Sequence, residues 1–95
     1  MNNYEVMYII NPTATEQKRD ELIEKIKSMA VEKGGNVLNV EKMGLKRLAY
    51  PIQFKTEGYY VLMTFEAMPE TIMPMEKLML ITENIFRVLF VKKKV

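Results

Sequence analysis

The sequence contains no cysteine and no histidine. These two absences remove the thiol nucleophile, the commonest general base and most transition-metal ligands at once. Glu, Asp, Lys or Tyr could still move protons, so catalysis becomes a minority reading. No apolar stretch approaches the roughly 20 residues of a membrane-spanning helix; runs such as Met7 to Ile10 are far too short. The opening MNNYEVMYIINP has no basic region ahead of an apolar one, so no signal peptide is visible and a cytoplasmic location is expected. Low-complexity segments, repeats and linkers are also missing, which predicts a single domain over residues 1–95.

What is present is ordinary globular material, 48% hydrophobic and 27% charged, near the size at which one core suffices without metals or disulfides. The nine methionines read first as adaptable core filler and second as an adaptable binding surface. Net charge is only +2, yet its distribution is uneven. Residues 16–33 hold five acids and five bases and are neutral. The stretch 42–58 (Lys42, Lys46, Arg47 and Lys55 against Glu57) carries +3, the stretch 84–95 (Arg87, Lys92, Lys93, Lys94) carries +4, and the remainder is −5. Positive charge is therefore local, as an electrostatic footprint for phosphate requires.

Periodicity predicts six elements. From Asn3 to Ile10, Tyr4, Val6, Tyr8 and Ile10 alternate with Glu5, Met7 and Ile9, a strand pattern that Asn11 and Pro12 end. Thr13 and Glu16 have capping-box spacing, and Leu22, Ile23, Ile26, Met29 and Ala30 form a helical stripe that Gly34 and Gly35 stop. An extended segment from Asn36 to about Ile52 is interrupted at Gly44, where a bulge is expected. A turn over Lys55–Gly58 leads to a strand from Tyr59 to Ala67, completing a hairpin. A second helix carries Ile72, Met75, Leu78 and Met79, with Pro74 tolerable only near its first turn. A last strand runs from Ile85 to Lys92.

The order β-α-β-β-α-β predicts an α+β, ferredoxin-like split βαβ sandwich, with two helices on one face of a four-stranded antiparallel sheet. The first and third strands are then central. Helix-covered positions should be Val6, Tyr8, Ile10, Val61, Met63, Phe65, Val88 and Phe90. The opposite parity leaves Ile9, Tyr60, Leu62, Leu89 and Val91 on an open face that is too apolar to be simply solvated.

Two groups of cations are candidate sites. In GLKRLAYPI, residues 44–52, alternation puts Lys46 with Leu48, Tyr50 and Ile52, and Arg47 with Ala49 and Pro51. If the bulkier set is buried under the helices, Arg47 stands on the open face. The pair Lys46 and Arg47 suits either binding or protection of an edge strand against aggregation. The last strand running antiparallel to the first would place Asn2, Asn3 and Tyr4 beside Val91, Lys92 and Lys93, a corner suited to phosphate and ribose contacts or simply a solvated basic tail.

YEVMYIINP near the start, GLKRLAYPI followed by GYYVLMTFEAMPE, and NIFRVLFVKK at the end together resemble the bacterial small-subunit ribosomal protein six family. The resemblance spans essentially the whole chain. It implies the same fold, no enzymatic activity and no cofactor. It also implies binding of small-subunit ribosomal RNA in the central domain, in a heterodimer with small-subunit ribosomal protein eighteen, the isolated chain being a monomer away from membranes. Tyr4, Arg47, Arg87 and Lys92 lie in the matching motifs and are candidate RNA contacts, with Lys46 and Lys93 beside them; Ile9, Tyr60, Leu62, Leu89 and Val91 are candidate partner contacts. A basic residue common near the start of family members is replaced by Asn at positions 2 and 3, and the extended C-terminal tail of some members is not expected.

Two other readings use the same fold. An RNA-recognition motif would need a basic residue and stacking aromatics at fixed offsets in the third strand, where EGYYVLMT offers Glu57, Val61 and Thr64. A dimeric ligand-binding protein or enzyme could form by packing two open faces together, but only Glu5 and Glu66 supply acids there.

Overall fold

The computed structural model of the protein describes residues 1–93; Lys94, the last base of the C-terminal run, and Val95 lie outside them. The elements are β1 (Asn2–Ile10), α1 (Glu16–Glu32), β2 (Asn36–Ile52), β3 (Lys55–Ala67), a 3-10 turn (Pro69–Thr71), α2 (Ile72–Leu80) and β4 (Ile85–Lys92). The sheet order is β2-β3-β1-β4 with every pairing antiparallel, which is the ferredoxin-like sandwich that the periodicity predicts.

One face of the sheet carries the core. Tyr4, Val6, Tyr8 and Ile10 of β1 and Val61, Met63, Phe65 and Ala67 of β3 pack beneath Ile23, Ile26, Met29 and Ala30 of α1 and Met75 and Met79 of α2. Val88 and Phe90, on the edge strand, are only half-buried against this cluster. Six of the eight expected helix-covered residues are thus fully enclosed, because the two central strands have a neighbour on each side and β4 has only one.

Two boundaries differ from expectation, and the position of Pro74 agrees with it. The cap of α1 is Thr15, whose Oγ1 accepts from the Lys18 amide at 3.2 Å, and not Thr13. Asn11 engages Thr13 first, its Oδ1 accepting from the Thr13 amide at 3.0 Å and hydroxyl at 2.8 Å, so the helix starts after this side-chain turn. The β2–β3 turn is Gln53–Phe54, bracketed by the pair Ile52 and Lys55, and not Lys55–Gly58. Neither turn residue is the Asn or Gly such a hairpin ordinarily uses, so the sequence hides it. Pro74 is the third residue of α2, within the first turn, where its missing N–H costs little. The helix α1 ends with Gly35 donating to the Ala30 carbonyl and Gly34 to that of Val31, which satisfies two terminal acceptors.

Tyr8 is fully buried, and its hydroxyl finds no hydrogen-bond partner among the described residues. Its ring fills the core while its oxygen bears a desolvation cost. In equilibrium denaturation at neutral pH, Tyr8→Phe should therefore be at least as stable as wild type, whereas Tyr8→Ala should lose about 3–5 kcal/mol. Burial also pushes the phenol pKa far above its ordinary value, about 10 in water. A raised folded pKa means that the stability is complete below about pH 10 and declines above it, as the unfolded chain ionises and the folded one resists. Tyr8→Phe should accordingly lose less stability than wild type when pH is raised from 9 to about 11.

Candidate nucleic-acid interface

The sheet face away from the helices is organised in rows set by register. Tyr60, Ile9 and Arg87 form one row; Leu62, Met7 and Leu89 the next; Thr64, Glu5 and Val91 a third. The middle of this face is apolar, and Met7, Ile9, Tyr60, Arg87, Val88 and Leu89 line a shallow depression of about 290 Å³. Leu89 and Val91 are exposed, and Tyr60 and Leu62 are half-exposed. Ile9 is not available in this way, since it is only 6% exposed.

What covers Ile9 answers how GLKRLAYPI is used. The β2–β3 register slips by one residue between Lys42 and Gly44, where Gly44 has φ +88°, a left-handed conformation that is costly with a side chain. Lys42 lies opposite Val61 on the helix side, but Lys46 lies opposite Gly58 on the open side. The inserted residue turns β2 over as far as the next slip, which follows Arg47. Lys46 and Leu48 are therefore on the open face, and Arg47, opposite Glu57, is on the other. This reverses the expected assignment. Of the bulky set it is Leu48 that packs, but against the open face.

Between Arg47 and Ile52 the slip is larger, with four residues of β2 facing one of β3. This slack lets the segment close over the end of the sheet. Leu48 is buried next to Ile9 above Gly58; a Cβ at Gly58 would overlap the Ile9 Cγ2 and sit 3.2 Å from the Leu48 Cδ2. Beyond Leu48, Tyr50 reaches across β3 and β1 to β4, where the Arg87 guanidinium donates to its hydroxyl and lies 5.3 Å from its ring centroid. Leu48 and Tyr50 are open-face residues whose place the sequence reading missed. A glycine within a strand usually marks such a close approach, so Gly58 was the available signal.

The other candidate corner forms as the antiparallel pairing predicts. Tyr4 pairs with Lys92, and the Lys93 amide donates to the Asn3 carbonyl at 2.8 Å. Tyr4, however, is only 7% exposed and stacks at 5.9 Å on Phe65; its hydroxyl accepts from the Asn2 amide group at 3.4 Å. It is a core residue with a polar rim. Lys93 is ion-paired with Glu5 at 3.5 Å, which trims the free charge there. Five residues along β1 separate this corner from the Arg87 row, about 17 Å at strand rise.

The remaining bases are sorted by their partners. Lys42 is held by Asp20 of α1 at 2.9 Å, and that hydrogen bond, then the carboxylate charge, raises its pKa. The other three ion pairs among the described residues involve none of Lys46, Arg47, Lys55, Arg87 and Lys92, so those five keep their charge for an external anion.

Comparison with known proteins gives a consistent picture. A family model described as Ribosomal protein S6 matches residues 3–92. The small ribosomal subunit protein bS6 of Caldanaerobacter subterraneus subsp. tengcongensis is 42% identical over 92 residues, 97% of each chain. Its counterpart in Desulforamulus reducens is 44% identical over 93 residues, 98% of each chain. The crystal structure of 30S ribosomal protein S6 from Thermotoga maritima superposes with a TM-score of 0.91 at 30% identity, covering 97% of this chain and 87% of that one.

Two stability measurements check this geometry. Gly58→Ala should destabilise the fold by about 1–3 kcal/mol, the usual cost of overpacking. A double-mutant cycle of Tyr50→Ala and Arg87→Ala in urea denaturation should give a coupling of about 0.5–1 kcal/mol, as expected for an exposed cation–π contact.

Proposed function

The chain belongs to the ribosomal protein S6 family, non-enzymatic proteins of the small ribosomal subunit, and from that premise we propose that it binds small-subunit ribosomal RNA in the central domain as a heterodimer with small-subunit ribosomal protein eighteen. On this reading it acts in the cytoplasm, on the ribosome, as one folded domain that is monomeric in isolation. The observation that carries the proposal is the open sheet face, an apolar centre with Lys46 and Arg87, neither ion-paired among the described residues, at its hairpin end.

The two parts of the face have different tasks. Tyr60, Leu62, Leu89 and Val91 offer apolar area to the protein partner, with Ile9 supporting them from below. At the rim, Arg87 is oriented by Tyr50 and, with Lys46, meets phosphate at the hairpin end of the face. At the opposite corner Lys93, beside Glu5, does so from the open side, while Lys92, opposite Tyr4, does so from the helix side, where Tyr4 contributes at most its hydroxyl edge. Arg47 lies on the far side of β2 and serves a different stretch of backbone. Phosphate contacts fix register without reading sequence, and each one neutralised releases counterions.

A net charge of +2 limits what the chain achieves alone. Affinity for a central-domain RNA fragment should be weak without the partner protein, tighter by at least tenfold with it, and should fall as salt rises. Binding measured across a salt series, with and without the partner, checks this. Arg87→Ala should weaken the ternary complex and reduce the slope of log affinity against log salt by about 0.7–0.9, one phosphate's worth, leaving the fold intact. Leu62→Glu should abolish binding of the partner first. Nanomolar RNA binding by the lone chain at physiological salt would overturn the two-part scheme. Family membership lends no support to the ligand-binding dimer.

A further inference from the structure

The tip of the β2–β3 hairpin carries a residue that the fold does not need. Phe54 is 101% exposed, whereas Phe65 is fully buried and Phe86 and Phe90 are partly so. Phe54 and its neighbour Gln53 have φ of +64° and +49°, the left-handed conformation that two-residue hairpin turns demand and that Asn and Gly accept far more readily than a bulky side chain. The position thus leaves a large aromatic ring unburied and strains its backbone. Conflicts of this kind, with no compensating contact in the folded chain, concentrate where a residue meets a ligand.

The surroundings indicate which ligand. Lys55 follows directly, and Lys46 and Arg47 lie further down the same hairpin; none of them is in an ion pair among the described residues. Over residues 45–57 the only opposing charge is Glu57. A protein pocket would take an aromatic ring with or without cations beside it. An unpaired nucleotide has the matching chemistry, a flat face for the ring and phosphates for the bases on either side.

We propose that Phe54 is a stacking contact for an unpaired base of the bound RNA, with Lys55 and Arg47 meeting the adjoining phosphates. This rests on the RNA-binding reading above and adds to it a contact outside the open sheet face, at the far tip of the hairpin. Stacking gives affinity without releasing counterions, so its loss leaves the salt dependence unchanged.

The experiment replaces Gln53–Phe54 by Asn–Gly, the pair this turn prefers, and compares the variant with wild type, Phe54→Trp and Lys55→Ala for binding central-domain RNA in the presence of the partner protein. The Asn–Gly variant should melt at the same temperature or higher, yet bind RNA about tenfold more weakly with an unchanged salt slope. Phe54→Trp should retain binding, and Lys55→Ala should lower the slope. An Asn–Gly variant that binds RNA as wild type does overturns the stacking role. So does a loss confined to affinity for the partner protein measured without RNA, which would place the ring in a protein pocket. Failure of the wild-type chain to bind RNA under any condition would instead overturn the RNA-binding reading itself.

Discussion

The open face depends on one inserted residue in β2. At Met43–Gly44 the strand gains a residue over its partner, and the side chains that follow, up to the next slip after Arg47, change sides. Without that slip, Lys46, Leu48 and Tyr50 would continue the parity of Lys42, toward the helices, and Ile9 would stand uncovered. With it, Leu48 seals Ile9 at Gly58, and Tyr50 is carried across to Arg87. A single backbone irregularity therefore converts an edge strand into a wall of the open face. Bulges commonly re-aim side chains in this way near functional sites.

Electrostatics then sorts the bases into structural and available ones. Lys42 is tied to Asp20 of α1 and Lys93 to Glu5 of β1. Both links are exposed, so each is worth little to stability, but each removes a cation from a patch that looks uniform in the sequence. Arg87 is different because its partner is a ring and a hydroxyl; it is oriented without being neutralised. An oriented, uncompensated guanidinium is well suited to phosphate, whose oxygens match its fork of donors.

The fold was legible from the sequence because its core obeys simple periods. β1 alternates cleanly, α1 carries an uninterrupted apolar stripe, and the central strands bury what alternation says they should. The site was less legible, and for identifiable reasons. Side-chain parity can be read along a strand only while register is constant, and β2 slips at three places against β3. Gly44 announced one of them but not its direction of effect. Tyr4 was expected at a solvent-facing corner because it lies beside the basic end of the last strand, and Ile9 on the open face by its parity, yet Phe65 in one case and Leu48 in the other encloses them. The hairpin turn was invisible because Gln53 and Phe54 lack the chemistry of a turn, and that mismatch is itself what makes the tip of interest.

The strand order has a consequence for how the chain is made. β1 sits in the middle of the sheet, yet its neighbours are β3 and β4, so Tyr4 waits for Phe65 on one side and Lys92 on the other. A central, largely apolar strand is synthesised first and paired last. At ordinary elongation speeds of about 5–20 residues per second, β1 spends several seconds without either partner, exposing Tyr4, Val6, Tyr8, Ile9 and Ile10. During that interval the nascent chain is a client for whatever shields apolar segments in the cell, and only the final residues of β4 release it.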